Sequence, residues 1–440
     1  MSGTARSGTG YAELLRARHV TRLLLGTLVG RLPNATAHVA IVLFVRSEGG
    51  SYTLAGVLAT VYGLATAVGQ PLLGRAVDLV GQPRVMLPAA LLSALGMLAF
   101  AAIGIEPLAL AAAAVLVAGL FTPPLEGGLR ALWPSVLGRQ DRVHRAYALD
   151  SVAQEVMFTI GPLVVTLAVA LWSEAGALLV INVIGVLGAL SVVASEPSRK
   201  WRSAPREAHW LGALRSPGLL ALLGAFLFVG MALGSITVAA VAYADGEHGV
   251  GTNLVYALLM SGIGFGALVG GLAYGARDWA GPPEPRLRVL IGLLAVGYLP
   301  LLLVPGYLAM TALACLAGLF LAPALSCAFV VVDRHAPRGT VTEAFSWLVT
   351  TFGVGAALGT AVVGPAIEGG GVVGGFVVPG AAGAAALLVL LATRRALSEP
   401  REPATPDTAQ VLTPPSAPGA TGENETNRPS EPGFRSRHQA

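Results

Sequence analysis

Along this chain, apolar residues run in stretches of twenty or more, separated by short polar segments rich in Arg, Gly and Pro. About 20 apolar residues carry a helix across the hydrocarbon of a bilayer. On that rule the pattern predicts twelve spans, near 21–45, 52–74, 84–105, 107–132, 147–172, 175–195, 217–243, 253–276, 286–305, 307–332, 341–366 and 372–393. Each must be a helix, because an open strand leaves its backbone polar groups unsatisfied in lipid. The expected fold class is an all-α membrane protein whose twelve helices form two pseudo-symmetric six-helix bundles.

Composition sharpens this reading. Of the 440 residues, 54% are hydrophobic and 12% charged, and the mean hydropathy is +0.70. Soluble domains carry about 25% charged residues, so the apolar surplus is lipid-facing surface. The net charge of +4 is spread through short loops, which argues against a nucleic-acid partner. Cys315 and Cys327 fall in one apolar stretch, and no disulfide between them is expected. No Cys/His cluster has metal spacing and no Gly-x4-Gly-Lys-Ser/Thr loop appears, so neither a metal, an ATP-driven step nor any bound cofactor is expected. A proton gradient is the expected energy source. Residues 1–20 lack the apolar core of a cleaved signal, so the first span is expected to remain as the first helix.

Charge placement orients the spans. Of the 28 Lys and Arg, 26 fall in the termini and alternate loops, while the intervening loops carry acids such as Glu48, Glu106, Glu174, Asp245, Glu247 and Glu368. Basic residues mark the cytoplasmic side, which puts both termini in the cytoplasm and the protein in the plasma membrane. The expected organisation is a cytoplasmic segment 1–20, an N-terminal bundle 21–195, a Pro- and Arg-rich linker 196–216, a C-terminal bundle 217–394, and a disordered cytoplasmic tail 395–440.

Corresponding loops of the two halves share a motif. GRAVDLVGQPR (74–84) joins spans two and three, and GARDWAGPPEPR (275–286) joins spans eight and nine; both hold Asp-x-x-Gly, as Asp78/Gly81 and Asp278/Gly281. Duplicated halves of this kind are a transporter signature. The first loop resembles the signature after helix two of the major facilitator superfamily, G-x-L-a-D-r-x-G-r-k, and the chain resembles a bacterial member with twelve spans. Gly74, Asp78 and Gly81 match it; Leu79, Gln82 and Pro83 replace its basic positions, and Arg84 comes one place late. The resemblance implies a latch between the halves, with Asp78 facing a neighbouring helix N-terminus. The Gly-rich helix-five motif of drug/proton antiporters survives only as Gly161-Pro162, and their helix-four arginine is missing from 107–121.

The first span, LLLGTLVGRLPNATAHVAIVLFV, holds costly residues. Thr27, Arg31, Asn34 and His38 step by four, three and four, so they share one helix face. A buried charge in a membrane faces protein or water. Glu155 in span five, on a face with Ser151 and Thr159, and Glu126 in span four lie at a comparable depth. One arginine meeting two carboxylates would leave an acid free to titrate. The bland readings are an Arg–Glu pair that only locks helices, a Glu126–Arg130 pair near the headgroups, a hydrogen-bonded pore role for His38, a Thr340/Glu343 capping box, and an Asp150 near the interface. The second half offers an apolar, softly polar wall: Met231, Ser235, Tyr256 and Met260 are its cavity candidates, with Thr237, Ser261, Tyr298, Ser326, Phe226, Phe228, Phe265 and Trp347, rings that can equally be helix packing.

These observations point to a secondary transporter, not an enzyme: a proton-coupled exporter of an apolar or amphipathic small molecule, expected to be monomeric. A sugar or metabolite permease and a non-transporting receptor or scaffold are the alternatives.

Overall fold

A computed structural model of the chain describes residues 11–205, 209–246 and 252–398, apart from the side chains of 158, 159, 162, 252 and 253. Residues 399–440 of the expected disordered tail and the side chain of Thr159 fall outside the described residues, while residues 395–398, expected in the tail, lie in the helix Arg394–Ser398. The described residues form one compact unit. All regular structure in them is helical: α1 Tyr11–Arg16, α2 Val20–Ser47, α3 Tyr52–Val80, α4 Gln82–Ile103, α5 Leu108–Leu120, α6 Leu125–Leu137, α7 Gln140–Leu171, α8 Glu174–Val193, α9 Glu196–Lys200, α10 Pro217–Gly246, α11 Thr252–Ala276, α12 Pro283–Tyr298, α13 Tyr307–Gly318, α14 Leu321–His335, α15 Val341–Ala392 and α16 Arg394–Ser398, with short 3-10 turns at Gly212–Arg215 and Leu299–Leu303.

Against the twelve expected spans, ten stretches among the described residues are long and apolar enough to cross a membrane. Two features bear on the difference. The 32-residue α7 is not among the ten, and residues 158, 159 and 162 within it lie outside the side-chain description. The 52-residue α15 is two helices merged across a break at Gly371, whose φ of 61° and ψ of −158° interrupt the ladder. Only glycine takes that backbone conformation readily.

Local chemistry sets several ends. The Ser51 and Ser173 hydroxyls accept from the N–H groups of Leu54 and Gly176, capping α3 and α8. Gly81, at φ 94°, both ends α3 and opens α4. Between α5 and α6, Pro123 and Pro124 cannot donate backbone bonds, so the helix breaks inside the span. That break leaves Glu126 in the first turn of α6, where the positive end of the helix dipole favours an acid.

The two halves are latched at one end. Asp78, buried at the end of α3, accepts from the backbone N–H groups of Thr342 (3.1 Å) and Glu343 (2.9 Å) at the start of α15. Gly74 permits this approach: a Cβ there would lie 3.1 Å from Glu343 Cα and 3.0 Å from Ser346 Cβ. At the mirror position Asp278 accepts from Arg145 of α7 at 2.7 Å. The segments flanking the bundles join in. Tyr11 of α1 donates to the Leu272 carbonyl at 2.9 Å, and Arg75 of α3 donates to the Trp210 carbonyl of the linker at 2.8 Å. Arg84 is exposed.

The capping-box reading of Glu343 fails. Thr340 donates its hydroxyl to the Pro337 carbonyl and caps nothing. Glu343 instead accepts from the linker N–H of Ala213 at 3.2 Å. The start of α15 is capped by Asp78 from the opposite half.

Candidate functional site

A cavity of about 490 Å³ lies between the halves, within the size range of small-molecule sites. Its walls come from α2, α3, α6, α7, α10, α14 and α15, and on α3 it runs from Gln70 to Ala59, roughly 16 Å at 1.5 Å per residue. It therefore extends away from the latched end. Arg31, Asn34, His38, Gln70, Glu126, Arg130 and Gln154 make its polar wall, all from the first half; Phe226, Leu325, Phe329, Leu348 and Phe352 make the facing apolar wall.

At the base of the polar wall sits a buried charge cluster. Arg31 pairs with Glu126 at 2.9 Å and Asp150 at 3.1 Å, and donates to Gln154 at 3.4 Å. Arg130 pairs with Asp150 at 2.6 Å and Glu126 at 3.6 Å, and donates to Gln154 at 3.0 Å. Two guanidinium groups thus face two carboxylates, so the four carry no net charge when all are ionised. Exposure separates the acids: the Asp150 side chain is fully buried, whereas that of Glu126 keeps 17% exposure and lines the cavity. A neutral cluster of this kind is tolerable in a membrane interior, where an unpaired charge is not.

This corrects the expected pairing. Arg31 meets Glu126, but its second acid is Asp150, not Glu155. Gln154 faces Arg31, and Glu155, one residue on, is turned about 100° away around α7. Asp150 lies within the buried cluster, ten residues, roughly 15 Å of helix, along α7 from its start at Gln140. Glu126 does approach Arg130, yet deep inside the bundle.

The shared face on α2 is only partly right. Arg31, Asn34 and His38 line the cavity. Thr27 is fully buried and does not line it. His38 stands edge-on to Tyr62, ring centroids 5.6 Å apart, and the Tyr62 hydroxyl donates to Asn34 at 3.3 Å. The second-half candidates Met231, Ser235, Tyr256 and Met260 do not line the cavity. Ser235 is fully buried, its hydroxyl donating to the Ala232 carbonyl, and the other three pack against the core. Phe226 alone of the rings proposed for that wall faces the cavity; Leu325, Phe329, Leu348 and Phe352 lie beside it, with Thr350 a polar residue among them.

A second, smaller cavity of about 30 Å³ lies within the first half, lined by Arg31, Asn34, Tyr62, Gln70, Ser93, Thr122, Glu126 and Asn182. It has room for about two waters among polar partners. Arg31, Asn34, Gln70 and Glu126 line both spaces. Among the described residues no group of three or more His, Cys, Asp or Glu could hold a metal ion.

The family model described as Major Facilitator Superfamily matches residues 23–342. No curated protein sequence matches the chain. Among solved structures, the human organic anion transporter MFSD10 (TETRAN) is similar at 17% identity and a TM-score of 0.61, covering 85% of this chain and 99% of its own. A bacterial homologue of the iron transporter ferroportin in an outward-facing state is similar at 16% identity and a TM-score of 0.68, with 85% and 99% covered. The E. coli fucose:proton symporter FucP is similar at 14% identity and a TM-score of 0.65, with 85% and 98% covered. At these identities the likeness is one of fold: two helical bundles.

Proposed function

This chain belongs to the major facilitator superfamily, a multi-pass membrane transporter of small molecules and not an enzyme, and from that premise we infer a proton-coupled exporter of an amphipathic small molecule. The reading includes twelve crossings, both termini in the cytoplasm of a plasma-membrane protein, and a monomer working without bound cofactor. The observation that carries it is the placement of Glu126, an acid at the cavity wall bonded to Arg31 and beside Arg130.

A proton arriving at Glu126 changes the cluster from neutral to +1, and its release restores balance. That change is large in a low-dielectric site. The cavity's opposite wall is apolar, so an apolar or amphipathic molecule gains from burial there while its polar end meets Asn34, Gln70 or Gln154. With each arginine matched by an acid, the site holds no spare positive charge for a strongly anionic substrate. His38, at the cavity wall beside Tyr62, serves as a hydrogen-bonding pore residue. In operation the latched end lies on the cytoplasmic side, and the cavity exchanges contents with the outside.

The test is transport by Glu126→Gln in inside-out vesicles with an imposed pH gradient, using a panel of lipophilic dyes. The variant should lose gradient-driven accumulation and keep downhill dye exchange. Full gradient-driven accumulation by the variant removes Glu126 from the coupling step.

A further inference from the structure

The guanidinium of Arg130 does two jobs at once. In its own half it is held by Asp150 and Gln154, 2.6 and 3.0 Å away, and approaches Glu126. Its flat face lies against the other half: its Cζ is 3.7 Å from the ring centroid of Phe329 on α14 and 5.7 Å from that of Phe345 on α15. Its Nη1 is buried with no hydrogen-bond partner, so the aromatic rings are what that side of the group meets. Tyr147 of α7 completes the packing, edge-on to Phe329 at 6.0 Å.

We propose that Phe329 is a positioning residue for transport: it couples the charge of the Arg31–Glu126–Arg130–Asp150 cluster to closure of the latched end through its stacking on Arg130. The inference rests on the reading of Glu126 as the titrating acid, and adds how that titration reaches the other bundle. A cation over a ring gains from the ring's negative face, and the gain is larger when both are desolvated. With both carboxylates charged, they screen the guanidinium from the ring. With Glu126 neutral, the cluster holds one uncompensated positive charge, and the aromatic face is the partner that remains. Neutral Glu126 therefore favours the closed end, and ionised Glu126 loosens it.

Few other charges act at this point. Arg31 and Asp150 belong to the cluster. Tyr147 sits beside it on α7, and Asp333 on α14 acts on Tyr147 electrostatically. On α15 the nearest acid, Glu343, binds the linker N–H of Ala213, and Asp78 of α3 is engaged with the start of α15.

The experiment is a double-mutant cycle read by distance. Spin labels at Leu79→Cys and Arg338→Cys, on opposite halves at the latched end, report the ratio of closed to open protein in proteoliposomes, with Cys315 and Cys327 replaced by Ala. Phe329→Leu should lower that ratio by about 2- to 30-fold, the range of a cation–ring contact. Glu126→Gln, which fixes the cluster at +1 without any proton movement, should raise it, and Phe329→Leu should then cost more than it does in wild type. Phe329→Tyr, which keeps the ring, should stay near wild type and preserve the pH profile of the ratio. Independent, multiplying effects of the two substitutions, or a Phe329→Tyr variant as open as Phe329→Leu, would overturn the proposal. Loss of the proton reading itself shows elsewhere, as gradient-driven transport that survives Glu126→Gln.

Discussion

Asp78 and Glu343 are 265 positions apart in sequence, yet the Asp78 carboxylate accepts the Glu343 backbone N–H at 2.9 Å and stands where an N-cap residue of α15 would stand. The contact joins an acid to a helix dipole across the two halves, an interaction worth about 0.3–1 kcal/mol and up to ~2 when partly buried. Asp78→Asn removes the charge and sets an amide NH2 against backbone donors. The expected outcome is a latched end that opens more often: flux falls, membrane yield holds, and a cysteine at Ser346 reacts faster with an impermeant maleimide. Unchanged labelling and flux would show that the contact does not govern closure.

The mirror loop should matter less. Asp278 pairs with Arg145 at 2.7 Å, but its side chain is 73% exposed. Exposed pairs contribute about 0–1 kcal/mol and weaken with salt. Asp278→Asn is therefore expected to keep flux within about threefold of wild type, with the difference shrinking as ionic strength rises. Equal damage from the two loop variants would mean that burial does not set their weight.

Much of this was legible in sequence, for physical reasons that also explain the omissions. The face Arg31–Asn34–His38 could be read because charged and polar residues are rare in a span and their spacing fixes a face. Asp78 could be read through its motif. The Glu126–Arg130 pair could be read from its i+4 spacing, but Asp150 could not be placed beside it, because hydropathy reports where apolar residues begin and not where a helix begins, and α7 extends seven residues before the expected start. The apolar wall was illegible for another reason. In a membrane both lipid-facing and cavity-facing positions are apolar, so Phe329 and Leu348 look the same as the exposed Phe265 and Leu358.

The positions of the two candidate acids predict different phenotypes. Glu126 bonds Arg31 and lines the cavity, whereas Glu155 is buried on another face of α7 and is not part of the cavity lining. Glu126→Gln should abolish pH-driven accumulation, and Glu155→Gln should reduce rates by a few-fold at most with the pH profile unchanged. Rates measured across pH 5.5–8.5 for both variants decide this, and a flat profile in Glu155→Gln alone would reverse the assignment.

The balance of two cations against two anions makes a last prediction about folding. Arg31→Ala leaves Glu126 and Asp150 sharing Arg130, a net charge of −1 held in a low-dielectric interior. Breaking a buried pair from one side costs about 3–5 kcal/mol, while replacing both partners with neutral groups is far milder. Arg31→Ala is therefore expected to lower membrane yield and the detergent Tm sharply. Arg31→Met combined with Glu126→Gln restores neutrality, since Arg130 and Asp150 still pair at 2.6 Å, and should recover most of the yield and Tm. It should not recover gradient-driven transport, because the cavity-facing acid is gone. Yield, Tm and flux measured side by side on the single and double variants separate the structural share of the cluster from its share in coupling. A double variant no more stable than Arg31→Ala would show that Arg31 acts through packing, not charge.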